Sequence, residues 1–274
     1  MGPHLDFRNI TLARLYQIWG TNAEAPLLDV MALVMIATAV VTYVTLQAIP
    51  APYGRYASNA FGPLIPSNVA WFIQECPSFF VPLFVYIRMN SGYVPIESKI
   101  LMALFGIHYF QRTFIYSTMI RGGKKTPLVP FLLAFIFCTY NGYMQARAIL
   151  KFRGAAPNIH HPYFIAGVAI FLFGMFINIQ SDHILRNLRQ EGSEHHYQIP
   201  YGGLFEYITS ANYFGELLEW FGFALAAYQL QALAFAVFTF SNLVPRAITH
   251  QEWYVKTFKG KYPRDRYAIL PFLV

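Results

Sequence analysis

Four stretches of the chain contain no Asp, Glu, Lys or Arg: residues 30–54, 126–146, 162–181 and 220–245. Each reaches the roughly 20 residues that a helix needs to cross a bilayer. Three further stretches are apolar but carry a few polar groups: 66–88 (PSNVAWFIQECPSFFVPLFVYIR), 98–120 (SKILMALFGIHYFQRTFIYSTMI) and 203–221 (GLFEYITSANYFGELLEWF). The 220–245 run divides into the end of one helix, a turn near Gln229–Gln231 and a shorter final helix. The pattern therefore predicts an all-α, polytopic membrane bundle of seven transmembrane helices, with the termini on opposite sides. No repeat, low-complexity tract or linker marks a second domain. Residues 1–274 read as one membrane domain with 1–26 as an amino-terminal segment.

Composition narrows the class. The chain is 56% hydrophobic and only 12% charged, whereas soluble domains are about one quarter charged. That excludes an ordinary soluble domain, a disordered chain and a nucleic-acid binder. The net charge of +7 is better placed in basic loops at a lipid surface. On the seven-span scheme the amino-terminal side carries Arg8, Arg14, Arg88, Lys99, Arg147, Lys151 and Arg153. The carboxy-terminal side carries Arg55, Arg121, Lys124, Lys125, Arg186, Arg189, Arg246, Lys256, Lys259, Lys261, Arg264 and Arg266, with Arg112 inside a span. Basic loops stay in the cytosol, so the carboxy terminus is expected there. The membrane is then the endoplasmic reticulum in a eukaryote or the inner membrane in a bacterium. Membrane lipid is the expected surrounding, with no obligate protein partner evident. The first apolar run is too long for a cleaved signal peptide. Cys76 and Cys138 lie inside apolar runs without ligand-spaced partners, so both are expected to pack.

Charges within spans are costly and tend to mark sites. Gln74 and Glu75 stand mid-span just before Pro77, which frees backbone carbonyls. They are either a site pair or a polar pair satisfying a kinked helix. Tyr109, Arg112 and Tyr116 share one helical face, as a ligand contact or as an interfacial belt with a snorkelling arginine. His108 points elsewhere and reads as a satisfied interior histidine. In INIQSDHILRNLR, Asn178, Asp182, Arg186 and Arg189 form one stripe. Arginines a turn apart can grip phosphate oxygens while Asn and Asp bond a ribose or an amide. The plain alternative is an Asp182–Arg186 pair on a helix leaving the membrane. Asn212, Glu216 and Glu219 form a stripe of opposite charge whose cation comes from Arg112, Arg246 or the 186–189 ladder. Arg246, His250 and Tyr254 share a final face, which a solvated basic surface would also explain.

Other signals are negative. RGGKK at 121–125 lacks the phosphate-loop spacing, YGGLF at 201–205 is a turn, and no GxGxxG follows a strand. No Rossmann domain is expected. His160, His161, His195 and His196 have no zinc-ligand spacing, so no metal site is expected.

The segments AWFIQECPSF, HYFQRTFIYS, INIQSDHILRNLR, YQIPYGGLFEYITSANYFGELLEW and YPRDRYAILPFLV resemble, in order and spacing, the steroid 5-alpha reductase family. The resemblance runs from about residue 66 to the end, with the cofactor region in the carboxy-terminal half, while residues 1–60 carry no matching signature. It implies NADPH-dependent reduction of the 4,5 double bond of 3-oxo-4-ene steroids in a seven-helix membrane bundle. By position, Glu75 and Tyr109, with Gln74 beside them, match the pair that bonds the steroid 3-oxo group, and Tyr116 and Arg112 join the substrate side. Asn178, Asp182, Arg186, Arg189, Tyr197, Asn212, Glu216, Arg246, His250 and Tyr254 match positions of the NADPH site. Gln111 and Gln251 depart from the pattern, standing where some members have His.

The chemistry needs these types. Hydride arriving at C5 pushes electrons through the enone onto the 3-oxygen, and a donor there stabilises the developing enolate as an oxyanion hole would. Rival readings are a reductase of another lipid enone, of the enoyl-CoA or polyprenol type, a methyltransferase sharing part of the architecture, and a membrane transporter using the same buried charges.

Overall fold

The computed structural model describes residues 23–89, 93–122, 124–154, 156–188 and 197–270. Among these residues seven long helices follow one another: α1 Glu24–Ala48, α2 Ser67–Arg88, α3 Ile96–Phe110, α4 Leu128–Lys151, α5 Pro162–Asn187, α6 Ala211–Ala227 and α7 Leu230–Phe258. Among the described residues the sheet content is one clasp, β1 Leu64–Ile65 antiparallel to β2 Thr126–Pro127, so nothing resembles a Rossmann sheet.

Local chemistry sets the boundaries. Helix α1 stops at Ala48 because Ile49 precedes Pro50 and takes an extended conformation, the one a following proline favours. It begins earlier than the uncharged run, at Glu24, because its acidic residues are paired: Glu24 with Arg147, and Asp29 with Gln231. Helix α5 opens with Pro162 in its first turn while the His161 side chain accepts the Tyr163 N–H, a pre-set start. Between α6 and α7 the chain turns at Tyr228, which is left-handed.

Among the described residues five helices are long and apolar enough to cross a membrane: Glu24–Ala48, Ser67–Arg88, Leu128–Lys151, Pro162–Asn187 and Leu230–Lys261. The other two, α3 and α6, are shorter, with 15 and 17 residues. Helix α3 widens after Phe110 into a π-type turn, Gln111–Tyr116, before Ser117–Met119. Two sequence expectations are corrected. The stretch expected at 203–221 becomes helical only at Ala211, after a short turn at Gly203–Glu206. The last helix, expected to be short, has 29 residues, because its polar face at 246–254 is covered by the loop after α1.

The exterior is rich in exposed Leu, Ile, Val and Phe, such as Val41, Ile87, Leu133, Ile136 and Phe176, as lipid-facing helices require. Inside, Phe105, Phe171, Phe223 and Phe235 surround Trp220.

The closest helix contact joins α5 to α6. Gly167 and Gly174 lie seven residues apart and face Gly222 and Gly215, also seven apart, in antiparallel order. A Cβ on Gly174 would sit 2.5 Å from both the Gly215 carbonyl oxygen and the Glu219 nitrogen. Small residues allow backbones to approach this closely in a bilayer. Gly174→Ala is therefore expected to destabilise by about 1–3 kcal/mol, since backbone on both sides cannot rotate away. Gly106→Ala, where a Cβ meets nothing within 4 Å, serves as the control. Thermal unfolding of both variants in detergent checks this, and equal melting temperatures would refute it.

Candidate active site

The glycine seam brings the α5 stripe against the α6 stripe. Asn178 Nδ2 donates to the Asn212 carbonyl oxygen at 2.9 Å, and Asn212 Nδ2 donates to Asp182 Oδ1 at 3.3 Å. Helix α3 and its π-type turn supply the partners: Arg112 Nη1 donates to Asp182 Oδ2 at 3.2 Å, and His108 Nδ1 lies 2.6 Å from Glu219 Oε2. The π-type turn containing Arg112 also places its guanidinium over the rings of Trp71 (4.6 Å) and Tyr116 (4.4 Å). Such turns often occur at functional sites. Glu216 belongs to the same electrostatic cluster, beside Arg112, Glu75 and Arg246.

Glu75 enters from α2. Gly142 of α4 packs against the backbone at Pro77 and Ser78, which sets Cys138 beside the site. Cys138 Sγ stands 4.0 Å from Glu75 Oε2, and Ser78 Oγ donates to the Cys138 carbonyl oxygen at 3.2 Å. The Tyr109 side chain lies beside Ser78 and within electrostatic reach of Cys138 and Glu75. Its ring is held by Phe105 at 4.7 Å, His108 at 5.0 Å and Trp220 at 5.9 Å. Gln74 is buried beside Glu75. Glu75 and Tyr109, 34 positions apart in the chain, thus share one buried electrostatic cluster with Arg112.

The other half is formed by α7 and the loop after α1. Arg246 donates through Nη1 to Asn242 Oδ1 at 3.0 Å and through Nη2 to Tyr213 Oη at 2.5 Å, and it stacks under Tyr53 at 4.4 Å. Tyr56 Oη donates to the Thr249 carbonyl oxygen, and its ring lies along His250. Arg55 sits among Trp253, Tyr254 and Tyr197 at 4.2, 4.8 and 5.0 Å. Its Nη1 is buried with no hydrogen-bond partner. Gly54 between them has φ +59°, a turn that only glycine adopts without strain. Burial pushes the Tyr53 hydroxyl well above its ordinary range, opposed by Arg246, and raises that of Tyr56, opposed by Arg55. Both remain neutral donors at physiological pH.

The carboxy-terminal segment fastens this end. Tyr267 exchanges backbone bonds with Tyr207 and Thr209, Thr209 Oγ1 and Tyr262 Oη are 2.6 Å apart, and Arg266 Nη1 donates to the Pro200 carbonyl oxygen at 2.9 Å.

Of the sequence-selected residues, Gln74, Glu75, Tyr109, Arg112, Tyr116, Asn178, Asp182, Asn212, Glu216, Arg246, His250, Tyr254 and Tyr197 belong to these two adjoining groups. Arg186 stands at the edge, with Nη2 2.7 Å from His183 Nδ1 and Nη1 3.3 Å from the Met119 sulfur. Arg189 lies outside the described residues. Sequence reading passed over Tyr53, Arg55, Tyr56 and Tyr213. The only clue to the first three was a Pro- and Gly-containing aromatic loop, PAPYGRY, carrying an arginine directly after the first span. Among the described residues no three His, Cys, Asp or Glu side chains converge as a metal site.

A bundle of apolar helices enclosing carboxylates, guanidiniums and a boxed tyrosine defines a polytopic membrane protein with an internal polar site. A family profile described as 3-oxo-5-alpha-steroid 4-dehydrogenase matches residues 124–274. The chain is 49% identical to 3-oxo-5-alpha-steroid 4-dehydrogenase 1 of Rattus norvegicus over 253 residues, covering 92% of this chain and 97% of the relative. It is 49% identical to the Bos taurus protein of that name, covering 92% and 99%. A steroid 5-alpha-reductase of Gossypium hirsutum is 37% identical, covering 85% and 92%. The chain belongs to the 3-oxo-5-alpha-steroid 4-dehydrogenase family.

Proposed function

We propose that this protein is an NADPH-dependent membrane oxidoreductase that reduces the 4,5 double bond of 3-oxo-4-ene steroids. The observation that carries this is the near-full-length identity to 3-oxo-5-alpha-steroid 4-dehydrogenases. The presence of Glu75 and Tyr109 in one buried electrostatic cluster supports it.

The residues present suit the cofactor. Arg55 keeps a buried N–H group without a protein acceptor, and with Arg246 it offers cationic donors suited to phosphate oxygens. Asn178, Asp182, Asn212 and Glu216 offer amide and carboxylate partners for ribose and carboxamide groups. When bound, NADPH supplies the hydride. Tyr109 donates a hydrogen bond to the 3-oxygen, where negative charge develops. Glu75 either shares that task as a neutral acid or orients the tyrosine as a carboxylate. Arg112 holds Asp182 and stacks on Trp71 and Tyr116, which fixes the wall between the two groups. A steroid reaches this wall laterally from lipid, while the charged cofactor comes from the cytosolic side. That assigns the Arg55, Arg246 and carboxy-terminal end to the cytosol, with α3 and α6 completing seven crossings. In a eukaryotic cell the membrane is the endoplasmic reticulum.

Detergent-solubilised protein incubated with a 3-oxo-4-ene steroid is expected to yield the product two hydrogens heavier by mass spectrometry, with NADPH strongly preferred to NADH. Absence of that product with saturating NADPH would overturn the substrate reading. Equal use of NADH would remove the arginines from any phosphate-selecting role.

A further inference from the structure

We infer that His108 and Glu219 form a positioning pair that holds Tyr109 in its donating orientation, an inference that rests on the reading of Tyr109 as donor to the substrate carbonyl. The two side chains are 4% and 0% exposed, and their contact of 2.6 Å joins α3 to α6. Beside the ring contacts of Phe105, His108 and Tyr109 with Trp220, this bond is a directional polar link between the helix bearing Tyr109 and the helix bearing Asn212 and Glu216. The imidazole stands edge-on to Tyr109 at 5.0 Å and to Trp220 at 4.6 Å. It therefore touches the tyrosine ring, while Ser78, Cys138 and Glu75 exert the electrostatic influence on the tyrosine from α2 and α4.

An imidazole turns easily about its outer torsion, because that torsion is broad. The bond from Nδ1 to Glu219 removes this freedom and makes the ring a fixed wall for Tyr109. Stability alone does not explain the pair, since an apolar pair of similar volume is often as stable or more so when buried. Glu219 Oε1 is itself buried without a hydrogen-bond partner, so His108 is the bond that satisfies this carboxylate. A directional bond between two helices has another effect: it sets the distance from the cofactor stripe to the tyrosine.

His108→Phe keeps a ring against Tyr109 and Trp220 but frees it from α6. Turnover at saturating steroid and NADPH is expected to fall by roughly 10- to 100-fold, the scale of a misplaced reacting group, with NADPH affinity unchanged. His108→Asn places an N–H where Nδ1 stands and is expected to recover most of the lost turnover. Should the stranded carboxylate unfold His108→Phe, combining it with Glu219→Leu restores an apolar pair, and turnover stays low in the folded double variant. In a Tyr109→Phe background, His108→Phe is expected to add little further loss, because both act through one hydroxyl. Wild-type turnover in the folded double variant, or full additivity in the Tyr109→Phe background, would overturn the positioning role and leave the donor reading intact. Normal turnover in Tyr109→Phe alone would instead overturn the donor reading, and the inference with it.

Discussion

Replacing Tyr109 with Phe is expected to lower turnover by roughly 10²- to 10³-fold, the loss seen when one oxyanion donor is removed. The substitution keeps the ring packed among Phe105, His108 and Trp220 and deletes only the hydroxyl. Glu75→Gln keeps shape and hydrogen-bonding capacity but cannot ionise, and it is expected to fall by a similar factor. Because neither residue belongs to the stripe formed by Asn178, Asp182 and Asn212, NADPH affinity should hardly change, so the loss appears in kcat rather than in cofactor binding. Single-turnover kinetics with a 3-oxo-4-ene steroid and NADPH, together with a binding isotherm for NADPH, separate the two. Near-normal turnover in folded Tyr109→Phe would make the hydroxyl structural, and another group would have to polarise the carbonyl.

Breaking the ion pair at the far end of the bundle is expected to unfold rather than inactivate. Arg147 donates through Nε and Nη2 to the two oxygens of Glu24 at 2.6 and 2.5 Å, and Tyr143 Oη donates to Glu24 at 2.7 Å. Arginine and glutamate are 2% and 0% exposed. Removing one partner of such a pair strands a buried charge at a cost of about 3–5 kcal/mol. Arg147→Met should therefore lower the melting temperature in detergent by on the order of 10 °C, while the fraction that stays folded keeps its kcat. Adding Glu24→Met removes the stranded carboxylate and should return most of the stability. An unchanged melting temperature in Arg147→Met would show that the pair does not hold α1 to α4.

How much was legible beforehand varies with the kind of signal. Uncharged runs of bilayer length located α1, α4 and α5 to within about six residues, and an apolar run carrying Glu75 located α2, because a segment in lipid must satisfy its own backbone. The polar stripes on α3, α5, α6 and α7 were equally visible, because helical periodicity puts residues three or four apart on one face. Pairing was not visible. Sequence left Asp182 open to Arg186 beside it, but it accepts from Arg112, 70 positions away, and from Asn212. Arg186 turns to His183 and Met119. His108 read as a satisfied interior histidine, and its partner Glu219 lies 111 positions along the chain.

The length of α7 and the role of the PAPYGRY loop show the same division. Past Pro245 the chain becomes polar, and hydropathy alone ends the membrane segment there. The helix continues to Phe258 because Tyr53, Arg55 and Tyr56 cover its polar face. By itself the sequence determined the helical class, most spans, the family resemblance and which faces carry charge, all of which follow from local periodicity and the cost of polar groups in lipid. Only the tertiary structure decided which charges meet, since a buried carboxylate takes whichever cation the closest helix packing brings within reach. Here that packing is set by four glycines that contribute no chemistry of their own.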